Sequence, residues 1–185
     1  MKNLLLVIIT LSSLNTFSQT ESESTMICQS IDEFTDKKTV MGNSSVILYK
    51  DGGDMKSEGM IVDLFLSSEK NGKIKKSSLY VKVVGIEGCV DKGSTLDVIF
   101  ENGEKTQLVS WKKFNCDGIN YFTITKENLF KNNNIKGVKY TNKRNYQSMI
   151  VKENMNEDGK SYIKNMLLEI EKINDGLVVP GKCKE

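Results

Sequence analysis

Met60-Ile61-Val62-Asp63-Leu64-Phe65-Leu66-Ser67 and Leu79-Tyr80-Val81-Lys82-Val83-Val84 stand on either side of the dipeptide Asn71-Gly72. Both runs alternate apolar residues with others, the period-two pattern of half-buried strands. Asn-Gly is the strongest short hairpin signal, because both residues tolerate the left-handed backbone that a tight turn needs. A two-residue turn there sets Leu66 opposite Ser77, Leu64 opposite Leu79 and Val62 opposite Val81, which brings the apolar side chains to one face.

The same reading extends in both directions. Asn102-Gly103 joins residues 95–100 to 105–111. A two-residue turn would put Phe100 opposite Lys105 and Val98 opposite Gln107. A three-residue loop, Glu101-Asn102-Gly103 with Gly103 left-handed, puts Leu96 opposite Leu108 and Val98 opposite Thr106, and this register is predicted. Upstream, residues 28–34 lead into a turn at 35–38, and residues 39–50 carry Val46, Ile47, Leu48 and Tyr49, whose branched and aromatic side chains suit a strand. Asp51-Gly52-Gly53-Asp54 ends it. Residues 119–125, 135–141 and 146–152 read as further strands. A short helix follows the first of these, with Thr125 as its cap and Leu129 and Phe130 as its anchors. A longer helix is predicted over 159–174, where Ile163, Met166, Leu167, Ile170 and Ile173 recur at spacings of three and four. The expected fold class is α+β: an antiparallel sheet, meander or sandwich-like, of about six to eight strands, with the C-terminal helix laid on one face.

The N-terminal segment predicts that this sheet works outside the cytoplasm. Met1-Lys2-Asn3 followed by the apolar run Leu4 to Leu14 matches a secretory signal peptide. That run is about half of the ~20 residues needed to span a bilayer. Thr16-Phe17-Ser18 puts small residues three before and one before a cut, so the expected mature chain begins at Gln19. Its first residue is not Cys, and Cys28 lies too far downstream for a lipid anchor. The expected organisation is a signal peptide over 1–18, a loose polar leader over 19–25, and one β-rich domain over 26–185. Export also gives meaning to the four cysteines, Cys28, Cys89, Cys116 and Cys183. An even count in an oxidising compartment implies two disulfides, with three pairings open. If the chain ends meet, Cys28 pairs with Cys183 and Cys89 with Cys116.

The chain has no His. This removes the Ser-His-Asp triad, the Cys-His pair and the commonest zinc sites. The remaining patterns are weak. Asn154-Met155-Asn156-Glu157-Asp158-Gly159 imitates the start of a calcium loop, but its twelfth position is Asn165 instead of the bidentate Glu, so Asn156 or Asp158 is read as a helix cap. Asp51 and Asp54 read as turn residues. Ser67-x-x-Lys70 and Ser110-x-x-Lys113 lie in strand or turn sequence without the companion motifs of that chemistry. Asp32, Glu33, Asp63 and Asp97 fit the solvated face of strands, although two acids at the right separation are all that glycoside cleavage requires. Asn43-Ser44-Ser45 fits the glycosylation triplet and is expected to stay bare. No catalytic, cofactor or metal residue is assigned, and no cofactor is expected.

Residues 19–104 hold ten lysines against fifteen acids, and residues 105–185 fifteen basic against nine acidic residues. With Arg144 the sole arginine, nucleic-acid binding is not expected. Lys136, Lys139, Lys143 and Arg144 are the candidate contacts for an acidic partner or an anionic glycan.

Ile31-Asp32-Glu33-Phe34-Thr35, Val90-Asp91-Lys92-Gly93 and the Glu101-Asn102-Gly103-Glu104 hairpin, with Ile124-Thr125-Lys126-Glu127-Asn128-Leu129 before Ile135-Lys136-Gly137-Val138, resemble a group of small exported bacterial β-rich proteins without assigned function. The likeness covers about residues 28–170 and departs at Lys143-Arg144-Asn145-Tyr146, where that group has a Gly-Tyr turn. It implies a β-rich exported module and carries over no site residue.

The expected role is therefore a non-catalytic, monomeric binding module for a protein or envelope component, of inhibitor or immunity type in its sharpest form. It would bind through a sheet face or through the Asn71-Gly72 or Asn102-Gly103 tip. The rival class is a carboxylate-dependent hydrolase of glycans.

Overall fold

The structure, a computed structural model, describes residues 22–35, 38–49, 59–69, 71–85, 89–152 and 155–183. The expected signal peptide, residues 19–21 of the expected leader, the Asp51-to-Asp54 turn, Lys70 and Asn154 lie outside these residues. In chain order the elements are β1 (Ser22–Ile31), β2 (Lys38–Gly42), β3 (Val46–Tyr49), β4 (Gly59–Ser68), β5 (Ile74–Val84), β6 (Thr95–Phe100), β7 (Lys105–Val109), β8 (Ile119–Phe122), α1 (Glu127–Asn132), β9 (Ile135–Thr141), β10 (Ser148–Val151), α2 (Glu157–Asn174) and β11 (Val178–Lys182).

These strands form three sheets, ordered β11-β1-β2, β10-β9-β6-β7 and β3-β4-β5-β8, not the single sheet read from the sequence. Two physical causes account for the difference. The two four-stranded sheets each carry one apolar face, and such faces are buried by packing on one another. Leu48, Met60, Val62 and Leu79 from one sheet and Leu96, Val98, Ile135 and Val138 from the other line a common interior with only about 10 Å³ of free space. The third sheet arises because β1 pairs in parallel with β11 from the far end of the chain, a contact that no local pattern announces. β1 starts at Ser22, so Ser22 to Thr25 belong to a strand and not to a loose leader. The Ser24 hydroxyl accepts from the N–H of Ile27 at 3.0 Å.

The first hairpin keeps the predicted register at its base, Leu64 opposite Leu79 and Val62 opposite Val81, but sets Leu66 opposite Lys76 instead of Ser77. The Glu69 N–H donates to the Lys73 carbonyl at 2.8 Å, and Gly72 is left-handed at φ 83°, so the loop holds three residues and not two. A bulge beside Phe65 and Leu66 absorbs the extra residue. The second hairpin has Leu96 opposite Leu108 and Val98 opposite Thr106, with Gly103 at φ 87°.

Helix α2 presents Ile163, Met166, Leu167 and Ile170 to the core. Asn156 caps it, its side chain accepting from the Gly159 N–H at 2.6 Å. At its other end Asn174 donates to the Ile74 carbonyl at 2.9 Å and accepts from the Ile74 N–H at 2.8 Å, which clamps the helix to β5. Helix α1 starts at Glu127, and its N-cap residue Lys126 makes no side-chain capping bond. Thr125 does not cap it, because Lys126 holds the cap position and Thr125 stands one residue before it. Phe130 still anchors α1, edge-on to Phe100 at 5.0 Å. Disulfides join Cys28 to Cys183 and Cys89 to Cys116. No helix of the described residues is long and apolar enough to cross a membrane.

Candidate functional site: an exposed aromatic row

The outer face of the β3-β4-β5-β8 sheet is not the polar surface that alternation leads one to expect. Asp63 on β4 lies opposite Tyr80 on β5, and Tyr80 lies opposite Tyr121 on β8. The N–H of Trp111 donates to the Tyr121 carbonyl at 3.1 Å, which extends the row past the sheet edge. The Trp111 ring stacks on Tyr121 with centroids 5.4 Å apart and planes at 27°. Tyr80 meets Tyr121 edge-on at 5.7 Å, as does Phe65 at 5.8 Å. Lys112 Nζ stands 5.2 Å over the same ring. Tyr121 is thus the hub of four contacts, while Phe65 and Trp111 keep 55% and 50% of their surface exposed. Burial, then Tyr121 and Asp63, raise the pKa of the Tyr80 phenol, so it stays neutral.

Asp63 closes one end of the row. The Tyr162 hydroxyl donates to its Oδ1 at 2.8 Å, and the Leu64 N–H to the same atom at 2.7 Å. Burial raises the carboxyl above its ordinary value, against these two hydrogen bonds.

Two further exposed rings, Phe114 and Tyr146, carry cations. Arg144 is 4.9 Å over Phe114, and Lys143 is 5.6 Å over Tyr146. Tyr146 has φ 58°, the one described non-glycine residue with a left-handed backbone. The segments that carry these rings are tied together. Gly93 N–H donates to the Ser110 carbonyl at 2.9 Å, Lys143 N–H to Ser94 Oγ at 3.1 Å, and the Asn142 amide to the Cys89 carbonyl at 3.2 Å. Asn115 both accepts from the Ile119 N–H at 3.2 Å and donates to the Ile119 carbonyl at 2.9 Å, next to the Cys89–Cys116 bridge. The exposed rings therefore sit on a stapled framework.

The residues singled out from the sequence are not brought together. Lys136 and Lys139 lie on β9, whereas Lys143 and Arg144 occupy the turn after it. Asp32 accepts from the Phe34 and Thr35 N–H groups, each at 2.9 Å, Glu33 is exposed in the same turn, and Asp97 belongs to the other large sheet. Ser110 is buried with its hydroxyl unpartnered among the described residues, while Lys113 is exposed, so they form no dyad. No group of three or more His, Cys, Asp or Glu among the described residues is placed to hold a metal ion. The hairpin tips hold no ring: Asn102 donates to Glu104 at 2.6 Å, and Asn71 accepts from the Lys73 N–H at 2.9 Å. The aromatic row itself had a sequence signal. Phe65 and Tyr80 occupy the outward positions of strands whose inward positions are Leu64, Leu66, Leu79 and Val81.

Comparison with known proteins adds no family. No family model matches the chain, no curated protein matches it, and no solved structure matches it.

Proposed function

We propose that this chain is a non-catalytic binding module of the cell envelope, exported by cleavage after Ser18, without a lipid anchor, and engaging a protein partner through the face centred on Tyr121. The observation that carries the reading is a stacked, half-exposed Trp111–Tyr121 pair on a stapled sheet edge. Tyr, Trp, Phe and Arg are enriched at the buried centres of protein interfaces, the aromatic rings because they cover much area while losing little side-chain freedom. Fully burying one such ring stabilises by roughly 1.5–3 kcal/mol. Lys112, Lys143 and Arg144 around the rings favour an acidic partner. Two disulfides fit an oxidising compartment. An inhibitor or immunity-type role is the sharper form of this reading. The rival, glycan hydrolysis by paired acids, would need a second carboxylate beside Asp63, and Asp32, Glu33 and Asp97 stand elsewhere.

The test is affinity capture from envelope extract with the oxidised chain starting at Gln19. A single saturable partner, lost with the Phe65→Ala/Trp111→Ala double variant and weakened by salt, supports the reading. Equal capture by that variant overturns it.

A further inference from the structure

The outer face of the other large sheet carries a second feature, independent of the aromatic row. The register aligns Lys105, Ile99 and Gly137 across β7, β6 and β9, and below them Gln107, Asp97, Lys139 and Ile150 across β7, β6, β9 and β10. Lys152 follows β10 beside Gly137. A hollow of about 510 Å³ opens on this face, with Gly137 at its border covered by the Lys152 stem. A side chain at Gly137 would intrude on Lys152, a Cβ standing 2.9 Å from the Lys152 Cγ. Its apolar side chains are Ile99 and the half-exposed Ile150, beside the strand backbone at Val98 and Val138. Three ammonium groups, from Lys105, Lys139 and Lys152, rim it, and none has a carboxylate partner among the described residues. The one acid of the lining among the described residues, Asp97, accepts from the Gln107 amide at 2.7 Å.

We propose that this hollow binds a single-chain amphiphile with an anionic head group, a fatty carboxylate or an alkyl phosphate. The volume falls within the ~300–1,000 Å³ range of small-molecule sites. An apolar floor takes the chain by removing both surfaces from water. The lysines lay their own methylene stems along that floor and carry their charge at its edge, which places three cations where a head group emerges. A neutral chain would leave those charges unanswered, and a cationic one would be repelled.

The probes are dodecanoate, dodecyl phosphate, dodecyl maltoside and dodecyltrimethylammonium, titrated calorimetrically below their aggregation concentrations into the oxidised protein. The two anions are expected to bind saturably and one-to-one, at least about tenfold tighter than the maltoside, which corresponds to one charge-assisted hydrogen bond. Their ranking tells carboxylate from phosphate recognition. Lys139→Glu is expected to weaken the anions about tenfold, and Ile150→Thr to weaken all chains by roughly threefold or more. Leu177→Ser, at an exposed position outside the lining, leaves amphiphile binding unchanged. Both Lys139 and Ile150 are exposed, so an unchanged thermal transition separates site loss from unfolding. Equal affinity for the anionic and neutral probes, no saturable binding, or insensitivity to Lys139→Glu would each overturn the proposal. So would dimers that dissociate with Ile150→Thr and exclude every probe, since a second copy would then own this face.

Discussion

The Tyr162 hydroxyl has one hydrogen and two acceptors within reach, the Ser44 carbonyl at 2.5 Å and Asp63 Oδ1 at 2.8 Å. When Asp63 is ionised, one acceptor must go without. When Asp63 is protonated, its own hydrogen serves the phenol oxygen and the phenol serves Ser44. Burial likewise raises the Asp63 pKa and that of Tyr162. Because the folded value of Asp63 lies above the ordinary carboxyl value of 3.8, its contribution to stability is complete below that value and is lost as pH rises through the raised one. Asp63→Asn keeps an acceptor for the Leu64 N–H and carries no charge to desolvate. The variant is therefore expected to unfold at a higher temperature than the wild type at pH 7, and the gap should shrink as pH falls towards 3. Thermal melts across that range read it, and a gap independent of pH would contradict the account.

At the scale of elements, left-handed glycines set the register, and they are not equivalent. A Cβ at Gly72 meets nothing within 4 Å, whereas at Gly118 (φ 70°) it would come within 2.5 Å of the Val83 carbonyl oxygen. Gly72→Ala should cost only the left-handed strain, about 1 kcal/mol. Gly118→Ala must also push β8 from β5, whose Val83 N–H donates to the Gly118 carbonyl at 3.0 Å. Urea unfolding is expected to show at least about twice the loss for Gly118→Ala, and similar losses for the two would refute this ranking. Much at this scale was legible in the sequence. The second hairpin followed from matching Leu96 with Leu108, and α2 from five apolar residues at helical spacing. The tip of the first hairpin is not legible, since Asn71-Gly72 is compatible with loops of two or three residues and the bulge that restores register leaves no composition signal. β1 is not legible over Ser22 to Thr25, because these polar residues take strand form beside the distant β11. The aromatic row was hidden by the assumption that outward positions face water, although Phe65 and Tyr80 are poor choices for a solvated face.

The whole molecule depends on two covalent closures of different reach. Cys28 and Cys183 are separated by 155 residues, and Cys89 and Cys116 by 27. Loop-closure entropy assigns them about 5 and about 3.5 kcal/mol respectively. Replacing both cysteines of each pair by Ser is expected to lower the melting temperature in both cases, more for the terminal pair. The Cys89→Ser/Cys116→Ser protein should lose partner capture disproportionately, because that bridge holds the segments bearing Trp111, Phe114 and Lys143. Capture that merely tracks stability in both proteins would argue against a stapled face.

The most direct test of the Tyr121-centred face is site-specific photo-crosslinking. A benzoylphenylalanine is placed at Trp111, the one tryptophan of the chain, or at Leu177, which is 68% exposed outside the row. After irradiation in envelope extract, the account predicts one dominant crosslinked protein from position 111 and none of it from position 177. Crosslinks of the same protein from both positions, or from 177 alone, would contradict it.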